Sequence, residues 1–162
     1  MSFNEKLSNA INEQVTLELE AAITYLQLSY ALDDLGLTGM RDWMRKQSDE
    51  ELEHAAKFSQ HLLDRGIRTQ ILDIPAPKVT INSARDAFEA SLEHERKVTN
   101  AIRNLAAIQA EVEDWDSRGL IDWFLDEQIE EESTVSEILD RLDIVGNDGS
   151  GIVRIDAERG ER

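Results

Sequence analysis

Residues 47–58 read Gln47-Ser48-Asp49-Glu50-Glu51-Leu52-Glu53-His54-Ala55-Ala56-Lys57-Phe58, and inside them Glu51-x-x-His54 sets a carboxylate three residues before an imidazole. On an α-helix that spacing puts both side chains on one face, able to grip one cation. The same face carries Met40, Met44 and Gln47 before Glu51, and Phe58 and His61 after His54. An acid and a histidine therefore interrupt an apolar stripe, although carboxylates avoid cores unless they are compensated there.

The rest of the chain repeats this anomaly. Working outward, the helix that holds Glu51 opens at Thr38 as N-cap and stops at Gly66. Upstream, Ser2-x-x-Glu5 suggests a capping box, followed by the stripe Leu7, Ala10, Gln14, Glu18, Ala21, Tyr25, Leu28 and Leu32. Downstream of the only two prolines, Pro75 and Pro77, Ser83-x-x-Asp86 opens a third stripe: Ala84, Phe88, Ser91, Glu95, Val98, Ile102 and Leu105. A fourth begins near Asp116 and runs Ile121, Phe124, Gln128, Glu131, Val135, Ile138 and Leu142. The expected elements are helices over about 3–34, 38–65, 83–112 and 116–144, with a short fifth over about 152–158, in one domain spanning 1–162. Each long helix is roughly 40 Å, which suggests an all-α four-helix bundle. Short glycine turns make each pair antiparallel. Residues 66–82, without periodicity, extend to roughly 55 Å, enough for a crossover along the whole bundle.

Each stripe thus carries one glutamate: Glu18, Glu51, Glu95 and Glu131. Counted from the turns, Glu18 and Glu51 fall at one height, and so do Glu95 and Glu131, to within about 2 Å at the helical rise. The crossover brings both levels together at mid-bundle. Four converging carboxylates repel strongly in an apolar interior, and two divalent cations would neutralise them. Oxygen and imidazole donors without sulfur suit iron or manganese better than zinc.

Other features carry blander readings. His61 has no carboxylate at matching height and reads as structural. His94 points about 100° from Glu95 and reads as surface. The acidic run Asp126–Glu132 reads as a solvated face apart from Gln128 and Glu131. Trp43, Trp115, Trp123 and the methionines read as core.

Composition narrows the function classes. Lys plus Arg number 17 against 34 Asp plus Glu, a formal charge of −17. Such a chain repels phosphate backbones and anionic lipid, so neither nucleic acid nor a membrane is expected as partner, while cations are. There is no cysteine, which excludes disulfides, thiolate metal centres and cysteine nucleophiles. No apolar run is long enough to span a bilayer and no leader is apparent, so a cytoplasmic location is expected.

At Asn12–Glu18, Glu50–His54, His94-Glu95 and Glu127–Glu131 the chain resembles the ferritins, and the prokaryotic non-haem ferritins most closely. The resemblance covers nearly the whole chain. It implies that Glu18, Glu51 and His54 hold one iron and Glu51, Glu95 and Glu131 another, with Glu51 bridging. It likens Gln128 to the glutamine beside that centre. Glu50, Glu127 and Glu130, with Glu131, match an outer third iron site, and Tyr25 and Trp123 match aromatic one-electron donors. The implied activity is ferroxidase: Fe(II) is oxidised by O2 or peroxide and stored as mineral inside a homo-oligomeric shell of 24 subunits.

Two departures carry information. Bacterioferritins bind haem through a methionine after the bridging glutamate. Here Leu52 fills that slot, Met1 is terminal, and Met40 and Met44 read as core, so no haem is expected. Animal ferritins place pore acids seven and ten residues before the glutamine; here those positions hold Ile121 and Arg118, with Asp114, Asp116 and Asp122 nearby.

The same core also serves small-substrate oxygenases and peroxidases, which would show a cavity beside the metals and a small oligomer. A structural subunit without chemistry is disfavoured by the intact ligand set. A rubrerythrin-type enzyme lacks its cysteines here, and a mini-ferritin takes its ligands from across a subunit interface. For shell formation, Val15, Leu19, Ile23 and Leu26 form a second apolar stripe on the first helix, expected to face a neighbour.

Overall fold

The computed structural model describes residues 2–161, so Met1 and Arg162 lie outside it. Within them the helices are α1 (Glu5–Asp34), α2 (Thr38–Asp64), α3 (Ala84–Glu111), α4 (Arg118–Val145) and α5 (Gly149–Gly160), with one 3-10 turn at Trp115–Ser117. α1 packs on α2 and on α3, α3 on α4, and α5 on α2.

Local chemistry sets these boundaries. α1 starts at Glu5 with Asn4 as cap, its side chain accepting from the Leu7 N–H; the Ser2-x-x-Glu5 box does not form. α3 uses Ser83 as expected, and Asp86 reaches back to the Asn82 N–H. Both α1 and α2 end in Schellman turns, with Gly36 and Gly66 at φ +77°. In each, the next residue returns a hydrogen bond into the helix: Leu37 N–H to Leu32 O, and Ile67 N–H to Leu62 O. Only glycine holds that φ without strain.

Thr38 does not cap α2: it is the first helical residue and Leu37 precedes it without a side-chain bond. The cap arrives from the far end of the chain. Asp156 of α5 accepts the Met40 N–H at 2.7 Å, buried. α5 is longer than the expected 152–158 and is capped by Asp148, which accepts from the N–H groups of Ser150 and Gly151. It lies so close to α2 that Gly39 sits against the Asp156 carbonyl and the Gly160 backbone.

The core is split in two. One cluster gathers Tyr25, Leu28, Trp43, Met44, Phe88, Val135 and Ile138. The other gathers Leu7, Ile11, Val15, Phe58, Val98, Ile102 and Phe124. Met40 and Met44 are fully buried, as expected of core methionines. Trp43 is buried as well, but Trp115 (63 % exposed) and Trp123 (40 %) are not core. Trp115 stands on the 3-10 turn, and Trp123 lines an open cleft between α2 and α4. Val15 also departs from expectation, because it belongs to the core. Ile23 and Leu26 remain exposed, joined by Tyr30, Ile71 and Leu72.

The crossover, residues 65–83, is clasped to α1. Asn12 exchanges two hydrogen bonds with the Gln70 backbone, and the Leu72 N–H donates to Thr16 Oγ1.

The α2–α5 contact generates a prediction. Gly39→Ala sets a methyl group into the Asp156 backbone, and overpacking of this kind costs about 1–3 kcal/mol. Asp156→Ala leaves the Met40 N–H without its cap, at about 1 kcal/mol. Both variants should free α5, read as faster tryptic cleavage at Arg154 and Arg159 and a lower melting temperature, with the helical signal of the bundle nearly intact.

Candidate metal centre

Between the two apolar clusters lies a polar layer drawn from all four long helices. Glu18 (α1), Glu51 and His54 (α2), Glu95 (α3), and Gln128 and Glu131 (α4) are all buried, Glu18 and Glu95 with no exposure at all. The heights counted from the turns therefore meet.

One ligand atom each from Glu18, Glu51 and His54 lie within 4.8 Å of one another. His54 Nδ1 is 3.1 Å from Glu51 Oε2, the i,i+3 pair of the opening motif. A second group, His54 with Glu127 and Glu131, satisfies the same separation. Here His54 Nε2 stands 3.9 Å from Glu127 Oε1. Phe124 and Trp123 meet the imidazole edge-on, at ring-centroid distances of 5.4 and 5.7 Å.

The carboxylates feel one another. Burial first, then the charge of Glu51, pushes Glu18 well above the usual carboxylate range. Burial and then Glu95 raise Glu51. Burial also raises Glu95, against hydrogen bonds from Tyr25 and Gln128 that favour its charged form. Glu131 is pushed up to about 8 by burial and by Glu95, with Gln47 opposing. Without cations, protons hold this layer together. Glu18 Oε2 is buried with no hydrogen-bond partner, an acceptor the protein itself leaves unused. Oxygen and imidazole donors, an orphaned carboxylate oxygen and a cluster of buried acids together fit a hard divalent cation.

Around them stands a ring of neutral donors. Tyr25 donates to Glu95 Oε1 at 2.5 Å and accepts from Ser91 at 2.9 Å. Burial, then the nearby Glu95 charge, raises the Tyr25 phenol. Gln128 donates to the Glu95 backbone, to Glu95 Oε2 and to Thr99. Gln14 donates to Glu18 Oε1 at 2.8 Å, and Gln47 to Glu131 Oε2 at 2.9 Å. The sequence places Gln14 and Gln47 on the stripes but gives them no role. Their signal is the same one that marks the acids, a polar residue on an apolar face one turn from a glutamate.

The outer acids are gathered as well. Glu50, Glu127 and Glu130, with Glu53, line a cleft of about 480 Å³ between α2 and α4, whose wall includes His54 and Glu131. Lys57 stands 4.3 Å from the Trp123 ring at its rim.

Of the remaining histidines, His61 is structural: its Nε2 lies 2.8 Å from Ser117 Oγ beside Arg65 and Phe3. His94 is partly buried, in the wall of an open groove beside the crossover. Its Nε2 is buried without a partner, and burial lowers the ring to about 4.

The Ferritin-like domain profile matches residues 8–145. A bacterial non-heme ferritin of Bacteroides fragilis is 34% identical over 159 residues, covering 98% of this chain and 99% of that one. A probable bacterial non-heme ferritin-like protein of Haemophilus influenzae is 32% identical over 157 residues, covering 97% and 95%. Among solved structures, an open pore ferritin from the archaeon Archaeoglobus fulgidus superposes with a TM-score of 0.96 at 32% identity, covering 99% of this chain and 98% of that one. With four buried carboxylates and a histidine converging inside a crossover-linked bundle, the chain belongs to the ferritin family.

Proposed function

We propose that this protein stores iron and is a ferroxidase, oxidising Fe(II) at the mid-bundle centre and passing Fe(III) to mineral inside a shell of its own copies. The observation that carries the reading is the gathering of Glu18, Glu51, His54, Glu95 and Glu131 in one buried polar layer between two apolar clusters. At 4 Å, two like charges cost about 4 kcal/mol at an effective dielectric of 20, so four ionised groups need cations there. Glu18, Glu51 and His54 bind one ferrous ion; Glu51, Glu95 and Glu131 bind the other, with Glu51 shared. Each Fe(II) gives up one electron, and O2 takes two electrons and two protons as hydrogen peroxide, or peroxide is itself reduced to water. The carboxylates hold the added positive charge.

Gln128 orients Glu95. Tyr25 can give one electron from its ring to the O2 or peroxide being reduced, while its proton passes to ionised Glu95 along their short hydrogen bond. Glu50, Glu127 and Glu130 form an outer iron site, from which the product leaves along the α2–α4 cleft. The whole of residues 1–162 acts as one domain, assembled as 24 subunits in the cytoplasm. Among the described residues no helix is long and apolar enough to cross a membrane. Leu52, half-exposed on α2, has no lone pair to offer a haem iron.

Three measurements test this. Glu18→Ala with His54→Ala should slow Fe(II) oxidation at least about 100-fold, more than the loss of a supporting partner causes, while light scattering still shows the closed shell. A stable monomer of the natural protein would instead favour a small-substrate oxygenase.

Metal binding should release protons. Glu18, Glu51, Glu95 and Glu131 hold protons above the ordinary carboxylate value of 4.5, Glu131 up to about 8. Divalent ions must displace them, so affinity for Zn(II) rises with pH above the ordinary carboxylate range, and the share of the release that comes from Glu131 fades above about 8. The folded state binds protons that the unfolded chain has lost, so metal-free stability falls as pH rises above about 4.5; the part due to Glu131 is lost by about 8, and Glu18, Glu51 and Glu95 act in the same direction. Glu131→Gln should reduce both effects; calorimetry in two buffers of different ionisation enthalpy reads the proton count.

The purified protein should show no Soret band and should bind added hemin without defined stoichiometry. About one haem per two subunits, with a bis-thioether spectrum, would contradict the non-haem assignment.

A further inference from the structure

A ferrous ion has to reach Glu18 and Glu95, carboxylates that solvent does not touch. The acids at the α3–α4 turn offer it little, because they are already engaged. Asp114 takes the Arg65 guanidinium at 2.5 Å, and Asp122 is paired with Arg118 at 3.4 Å. Asp116 stands 3.8 Å from the same Arg65.

The α1–α3 side offers more. A cavity of about 280 Å³ lies there beneath the crossover, on the pair of helices that does not border the α2–α4 cleft. Glu13, Glu20 and Asp73 line it against one cation, Lys97, which is drawn to Glu20 at 2.8 Å. Gln14 is part of its wall. That side chain is 3 % exposed, and its amide donates to Glu18 Oε1, while the other oxygen of Glu18 has no partner. One glutamine therefore stands between a negatively lined cavity and a proposed iron ligand.

We propose that this cavity is the way in for ferrous ions, and that Gln14 is its gate. The inference rests on Glu18 being an iron ligand. Three acids against one ammonium focus a negative potential at the mouth and raise the local concentration of a divalent cation. The amide suits the gate in two ways. It is neutral, so it does not trap the ion as a further carboxylate would, and its carbonyl oxygen is a ligand that hard cations accept. When the side chain swings off Glu18, the freed carboxylate oxygen and the amide oxygen are both available to the incoming ion. The Thr16–Leu72 and Asn12–Gln70 bonds hold the crossover in place over the cavity. An ion can thus enter between α1 and α3 and leave, oxidised, between α2 and α4.

The test uses the assembled full-length protein and anaerobic Co(II), whose absorption reports binding without turnover. The chain has no cysteine, so Asn104→Cys, on the exposed cavity wall, supplies a unique thiol. Modification by a bulky methanethiosulfonate should slow Co(II) association at least ten-fold without changing the final stoichiometry, and dithiothreitol should restore the rate. Gln14→Leu, which removes the amide oxygen, should slow association to a similar degree, and Glu13→Gln with Asp73→Asn should slow it less and weaken its salt dependence. A merely structural Gln14 would change affinity and leave the thiol block without effect. Association at the unmodified rate in the blocked protein would overturn the gate. Co(II) binding indifferent to Glu51→Ala would overturn the metal-centre reading itself.

Discussion

The structure turns on mutual repulsion among carboxylates that have been withdrawn from water. Every feature near mid-bundle answers to it. Four helices each deliver one acid because a single helix cannot surround a cation, and the long crossover lets all four arrive at one height. Gln14, Gln47, Tyr25 and Gln128 each donate to a carboxylate oxygen. Neutral donors suit this place. A lysine or arginine there would neutralise the acids permanently and leave nothing for a metal to do, whereas an amide or phenol fixes a carboxylate's orientation and leaves its charge available.

Most of this was legible in the sequence because it is periodic. Every residue of the four stripes is buried except Ala10 and His61, which are partly so, since helical spacing decides facing before tertiary structure adds anything. The acids stand out for the same reason: each violates a pattern that its neighbours keep. What failed was what depends on distant partners. The cap of α2 comes from Asp156, 116 residues further on, and no local rule can propose it. His94 lies one position off its stripe, yet its ring nitrogen is buried, which facing angle alone does not reveal. Residue type alone puts Trp115 and Trp123 in the core; their exposure follows instead from the 3-10 turn and from the open α2–α4 cleft.

The site's position also explains why the core is divided. A polar layer across the bundle prevents one continuous apolar cluster, so the halves above and below must each pack well alone. The stacked Phe58–Phe124 pair, centroids 4.1 Å apart, and the Tyr25–Trp43–Phe88 group supply large buried area on either side. These aromatic groups flank the polar layer and limit how far its helices can separate when charge accumulates.

Such confinement has a consequence for metal exchange. If the helices cannot spread, an ion cannot reach the layer by a general loosening of the bundle, and passage must fall to individual side chains at its edges. On the α2–α4 side His54 and Glu131 already line an acidic cleft, so little needs to move there. On the α1–α3 side a single buried amide closes the path. Moving one glutamine side chain breaks one hydrogen bond, worth about 0.5–1.5 kcal/mol, and leaves both apolar clusters undisturbed. A rigid bundle with an open acidic cleft on one side and one soft residue on the other can thus exchange iron repeatedly and keep the carboxylate geometry on which oxidation depends.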